Sequence, residues 1–207
     1  IFNNFYDIVL ANKVKKFIYI STSQVYASSD QFITEESKLY SKDAYTNRHI
    51  NAENYIINKN NHGFTKNIIL RLSNAFGYPI NKNANCWHLA INDFVLNCVI
   101  NNEIKIKSTE DIEKNFVGIS YLCECIEFLT KLNLTQNNNI FNVGNSKSYR
   151  LSEITKIIKD RNYKITKKIS KINLFKSSNK NLQKLNYCCE KIKSIGFRES
   201  NEKDIIN

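Results

Sequence analysis

Glycine is scarce in this 207-residue chain. Its five copies nowhere form the G-x-G-x-x-G or G-x-x-G-x-x-G spacing that lets a backbone close on a pyrophosphate at a helix N-terminus. A dinucleotide cradle of that kind is excluded from the residues present. One proline and no Gly/Ser-rich stretch exclude a polyproline arm or a flexible linker, so any second unit has to be interleaved with the first. No apolar run nears the roughly 20 residues that cross a bilayer, and the chain does not open like a secretory signal. A cytoplasmic protein without a membrane partner is the expectation. Neither C-x-x-C nor H-x₃-H spacing occurs, which leaves no tetrahedral metal site. No serine lies in G-x-S-x-G, which removes the nucleophile-elbow hydrolases. Cys86, Cys98, Cys123, Cys125, Cys188 and Cys189 are scattered, and in the cytosol they read as reduced, buried thiols.

What is present is enough to build a core, with 42% hydrophobic and 24% charged residues. The formal net charge of +11 is concentrated. Residues 147–193 hold 14 Lys and Arg against three acids, whereas 1–146 are nearly balanced. That stretch could face a diphosphate or a nucleic acid. An excess of Lys, Asn and Ile also arises from compositional drift, which places lysines on solvated faces without a role. No aromatic stacking motif accompanies the charge, so no nucleic-acid partner is expected.

The order of elements points to an α/β fold. A helix at the start leads into FIYIST, an apolar run suited to a buried parallel strand. A polar loop spans 27–43. The stripe of Tyr45, His49, Ala52 and Ile56 then predicts a helix over 44–59. NIILRLSNAFG reads as one further buried strand, ending at Gly77 and Pro79. Beyond it come a helix over 90–101, the strand EIKIKS, a helix over 120–132, the strand IFNVG and a helix over 152–159. YKITKKIS (163–170) reads as a weaker strand, and a last helix falls near 190–195. Strand, helix, strand with apolar strands is the signature of a parallel sheet with helical crossovers.

Thr22 ends the first strand, and open α/β sheets bind ligands at the carboxyl ends of their strands. Tyr45 and His49 share one face of the next helix. On geometry alone, a tyrosine and a histidine on a helix are more often packing and surface residues.

The strings VKKFIYISTSQVYA, ITEES, AYTNRHINAEN, RLSNAFGYP, NFVGIS and IFNVGN, taken in order, resemble the extended short-chain dehydrogenases/reductases, the NAD-dependent epimerase/dehydratase family. The resemblance runs from about residue 2 to the IGF near 197. It implies a Rossmann-like parallel sheet without its glycine-rich βαβ half, as in an N-terminally truncated chain. Residues 1–80 would form the C-terminal half of the NAD(P)-binding domain. Residues 81–207 would form a small interleaved substrate domain, with a segment near 113–145 returning to the first. The implied activity is NAD- or NADP-dependent epimerisation or reduction of a nucleoside-diphosphate sugar by a parent enzyme, homodimeric at full length, with this fragment alone inactive.

The resemblance also assigns residues. Thr22 falls on the catalytic hydroxyl and Tyr45 on the acid/base tyrosine. His49 stands where the family has lysine, so that it joins Tyr45 in holding the nicotinamide side of the cofactor, with Leu72 and Ser73 beside it. Ser23, Asn74 and Lys114 would meet substrate. Lys114-Asn115 takes the place of an Arg-Asp pair whose arginine contacts the diphosphate.

Two departures change the chemistry. A phenol with a pKa near 10 needs a cation to act as a base at pH 7. A unit charge about 6 Å away at an effective dielectric near 20 supplies roughly 2.8 kcal/mol. Histidine, mostly neutral at that pH, supplies less. Arg48 is either the replacement cation or a solvated side chain. The second departure is Ser23-Gln24, where sugar 4,6-dehydratases carry Asp-Glu, and it turns the expectation from dehydration toward epimerisation or reduction. A non-catalytic binding or scaffold protein of the same fold is the alternative that His49 and the absent glycine loop favour.

Overall fold

Apolar blocks separated by amphipathic helices build one parallel sheet with helices on both faces. The computed structural model describes residues 1–27, 32–59, 63–81, 83–107, 111–173 and 185–198. Strands β1 (Lys16–Thr22), β3 (Lys66–Leu72) and β7 (Asn138–Val143) lie in the order β1-β3-β7, all parallel. β3 is buried from Asn67 to Arg71, as its continuous apolar run requires of a central strand. The sheet is therefore the α/β, Rossmann-like arrangement expected of the sequence.

Helices α1 (Phe2–Ala11) and α2 (Ala44–Lys59) cover one face. There Tyr6, Val9 and Ile56 pack on Ile69. The other face carries α4 (Ile119–Lys131) and α6 (Glu190–Ser194), and Leu122, Cys125, Leu129 and Ile192 join Ile68, Leu70 and Phe141 there. Lys16, the first residue of β1, ties α4 to the sheet. Its Nζ donates to the carbonyls of Leu129, Thr130 and Leu132 at 2.7, 2.7 and 2.8 Å, satisfying acceptors that a helix C-terminus leaves open.

A second cluster forms around α3 (Ala90–Asn101) and α5 (Leu151–Thr166), with Phe94, Ile104, Phe116 and Tyr149 at its centre. Its strands are β4 (Asn74–Phe76), β6 (Glu113–Gly118) and β8 (Ser148–Arg150). β4 runs parallel to β6, and β8 runs antiparallel to it. Two short pairs complete the architecture: β5 (Glu103–Lys105) with β9 (Lys171–Asn173), and β2 (Phe32–Ile33) with β10 (Asn186–Tyr187).

Two sequence expectations are corrected. NIILRLSNAFG is two strands, because the chain changes sheets at Ser73. The Ser73 N–H still donates to Val143 O at 2.9 Å, and Asn74 then pairs with Phe116 of β6. YKITKKIS is not a strand. α5 continues to Thr166 and stops where Lys167 turns left-handed at φ 61°, its N–H donating to Tyr163 O. The longer helix follows from tertiary contacts, since Asn162 is buried and donates to Ser170 Oγ at 3.1 Å. All six cysteines are free thiols. Cys98, Cys125 and Cys189 are buried, Cys86 and Cys188 half-buried, and Cys123 exposed, so burial holds for only part of the set. Among the described residues no helix is long and apolar enough to cross a membrane, and no group of three potential metal ligands occurs.

Candidate active site

Register puts the strand ends side by side: Thr22 lies opposite Leu72, and Leu72 opposite Val143. Thr22 is buried. Its Oγ1 accepts from the Gln24 N–H at 3.2 Å and so caps the 3-10 turn Ser23–Val25. The loop that follows leads to α2, whose start Asp43 fixes by accepting from Thr46 N at 2.8 Å. α2 crosses β1, where His49 reaches Tyr19 and Glu53 reaches Ser21, and Tyr45 lies one turn before His49 on the first turn of the helix. Tyr45 is 43% exposed, so its phenol is open to a ligand rather than sealed in the core.

The Tyr45 and His49 rings meet edge to face with centroids 4.7 Å apart. His49 in turn touches β1, where its Nδ1 lies 2.9 Å from the Tyr19 hydroxyl. Burial lowers the His49 pKa below its ordinary value. Glu53 opposes that shift and Arg48 adds to it. Burial, with the charges of Glu53 and Tyr45, pushes the Tyr19 phenol up to about 12. Arg48 itself is exposed.

Beneath this surface runs a buried polar network that sequence reasoning missed. Glu53 receives Ser21 Oγ at 2.5 Å, Arg71 Nη2 at 2.7 Å and Arg71 Nε at 3.1 Å. Arg71 Nη1 donates to the Tyr26 hydroxyl at 3.0 Å and to Glu35 O at 2.9 Å. Tyr26 donates onward to Asn142 Oδ1 at 2.6 Å, and Tyr187 donates to Arg71 O at 2.6 Å. Burial works against the Arg71 cation, but the hydrogen bonds and charge of Glu53 outweigh it and raise the guanidinium pKa. A signal for this network was present. Glu53 lies one turn beyond His49 on the same face of the helix, and Arg71 follows directly on the apolar run Ile68–Leu70. One charge of each sign in buried positions implies a pair.

The other expected site residues divide. Ser23, half-buried, opens the 3-10 turn next to Thr22. Leu72 closes β3 beside Thr22. Ser73 is buried with its Oγ unpaired among the described residues. Asn74 is half-buried, and its amide is committed to Asn115 O at 2.8 Å. Asn115 holds the following turn, accepting from Asn145 N at 2.9 Å and donating to Asn145 O at 2.8 Å. Lys114, half-buried on β6, has its pKa lowered by burial and by the charge of Lys42. A groove of about 430 Å³ between α3 and α5, lined by Trp87, Val95, Val99, Ile158 and Ile165 among others, contains none of these residues.

A parallel sheet with helical crossovers on both faces defines a Rossmann-like α/β protein. The model of the NAD dependent epimerase/dehydratase family matches residues 2–144, and the chain belongs to that family. Solved structures resemble it at low identity. UDP-N-acetylglucosamine 4-epimerase from Methanobrevibacter ruminantium, in complex with UDP-N-acetylmuramic acid, is 16% identical with a TM-score of 0.79, over 97% of this chain and 63% of that one. An NAD dependent NDP-hexosamine 5,6-dehydratase involved in tunicamycin biosynthesis is 15% identical with a TM-score of 0.77, over 98% and 63%. UDP-glucose 4-epimerase from Thermus thermophilus, complexed with NAD, is 15% identical with a TM-score of 0.74, over 96% and 63%. The chain thus spans less than two thirds of the length of these proteins. No curated protein sequence matches it.

Proposed function

We propose that these residues belong to an NAD(P)-dependent epimerase or reductase of a nucleoside-diphosphate sugar. The observation that supports the reading is the exposed Tyr45 on the first turn of α2, ring to ring with His49, in a chain whose first strand ends at the buried Thr22. Thr22 orients the reacting hydroxyl of the sugar, and Tyr45 takes up or returns its proton. Leu72 and Ser73 line the nicotinamide end with Tyr45 and His49, and Ser23, Asn74 and Lys114 face substrate. The unpaired, buried Ser73 Oγ fits a ligand group arriving at that end, whereas the pyrophosphate end finds no glycine-spaced turn in this sequence. Bound nicotinamide would supply the hydride chemistry. Residues 1–80 and 81–207 divide in this reading between cofactor and substrate sides, with 113–145 returning to the first, and a homodimer contact includes the Tyr45 helix. Lys114 is a half-buried cation suited to a diphosphate.

The test is hydride exchange between NAD(P) and nucleoside-diphosphate sugars. Tyr45→Phe should reduce turnover at least about a hundredfold while sugar binding persists. A Tyr45→Phe protein with unchanged turnover ends the assignment. The second reading, a binding protein of the same fold, is favoured by the depressed pKa of His49, which leaves no cation at that position near neutral pH. It predicts sugar-nucleotide binding without any hydride exchange.

A further inference from the structure

The 2.9 Å contact between the Tyr19 hydroxyl and His49 Nδ1 joins a residue of β1 to the helix residue one turn after Tyr45. We propose that Tyr19 is a positioning residue that locks His49 as a neutral imidazole with its proton on Nε2, so that Tyr45 works beside a fixed hydrogen-bond donor rather than beside a cation. This rests on the active-site reading above for its catalytic meaning, though not for its structural content.

The argument begins with which atom donates. A phenol is a stronger donor than acceptor toward a basic ring nitrogen, and Tyr19 stays protonated far above neutral pH because its ionisation is pushed up to about 12. Its O–H therefore points at Nδ1, and Nδ1 must be the bare nitrogen. The ring proton is then on Nε2. Protonating the imidazole would place an N–H against the phenol oxygen and strip the Tyr19 proton of its acceptor. A phenol donor held on Nδ1 favours the neutral ring, in the same direction as the burial of the ring.

The neighbours on each side bear on the same state, most of them in its favour. On α2, Arg48 repels a charged imidazole, while Glu53 would attract one. That attraction is blunted because the Glu53 carboxylate is already engaged by Arg71 and Ser21. Tyr45 presses edge to face on the ring from the preceding turn. From α1, Phe2 packs edge-on against Tyr19 with centroids 5.2 Å apart, which holds the phenol against the helix. Rotation of either ring would break one of these contacts.

The experiment is two-dimensional ¹⁵N–¹H NMR of the imidazoles in ¹⁵N-histidine-labelled protein across pH, with the His49 signals assigned by their loss in His49→Gln. The expected result is a single Nε2–H tautomer at neutral pH and a titration midpoint below the ordinary value of about 6.5. In Tyr19→Phe, which keeps the ring packing, His49 should populate both tautomers, and its midpoint should move back toward that value. A wild-type Nδ1–H tautomer, an imidazolium at neutral pH, or a Tyr19→Phe spectrum identical to wild type would each overturn the proposal. If the variant does not fold, the wild-type tautomer decides. The readout needs no turnover, so a protein inactive in hydride exchange would count against the proposed function and leave this inference intact.

Discussion

Arg71 grips the Glu53 carboxylate with Nη2 at 2.7 Å and Nε at 3.1 Å, and the two side chains are 3% and 1% exposed. One charge of this pair cannot be removed without stranding the other in a dry interior. Arg71→Met or Glu53→Ala should cost about 3–5 kcal/mol of unfolding free energy, read from urea titrations, whereas replacing both with apolar residues of similar volume should cost much less. A single variant as stable as wild type would show that solvent reaches the pair.

The grip of Lys16 on α4 gives a second prediction. Lys16→Met keeps the apolar stem and leaves three carbonyls to water. It should destabilise by about 1–2 kcal/mol and raise amide hydrogen exchange in the last turn of α4 without touching Thr22 or Tyr45.

Gly144 follows β7 at a point with no room for a side chain. A Cβ there would lie 2.8 Å from Tyr187 Cδ1 and 3.1 Å from Ser73 Oγ, with Asn115 Oδ1 closer still. Gly144→Ala should lower stability by about 1–3 kcal/mol through crowding, since its backbone does not lie in the left-handed region. Thermal unfolding checks this.

Stability should fall at both ends of the pH scale for definable reasons. The folded His49 has a depressed pKa, so below about 6.5 the unfolded chain binds a proton that the folded chain resists, and stability drops as pH falls. His49→Gln should flatten that limb. Burial raises the phenols of Tyr19 and Tyr26 to about 12 and lifts that of Tyr187 well above its ordinary value. Their contribution is intact below the ordinary value of about 10 and is lost as pH climbs from there toward 12. Urea midpoints measured across pH should trace both limbs.

The scaffold was readable because its signals are local. FIYIST and NIILRL are apolar enough to be buried strands wherever they go, and the Tyr45–Ile56 stripe faces a sheet whatever the partner. The break at Ser73 was not readable. Whether a β-rich string continues in one sheet or crosses to another depends on β6, whose approach to Asn74 is a tertiary fact. The same holds for Tyr19. Inside FIYIST it looks like any core aromatic, and only the packing of α2 across β1 brings its hydroxyl to His49. A resemblance in motif order marks Thr22, Tyr45 and His49 as candidates, while Ser21, Glu53, Arg71 and Asn142 lie within the same motifs, whose order carries no information about the hydrogen bonds among them.

The central place of β3 also bears on how a nascent chain matures. One side of Lys66–Leu72 can zip to β1 early, but its other side waits for Asn138–Val143 to leave the ribosome. Pairings between such distant segments form slowly, and synthesis of the intervening stretch takes several seconds. During that interval an Ile-Ile-Leu ribbon stands bare on one flank, an adhesive surface for which chaperone shielding and low expression temperature should raise the yield of native protein.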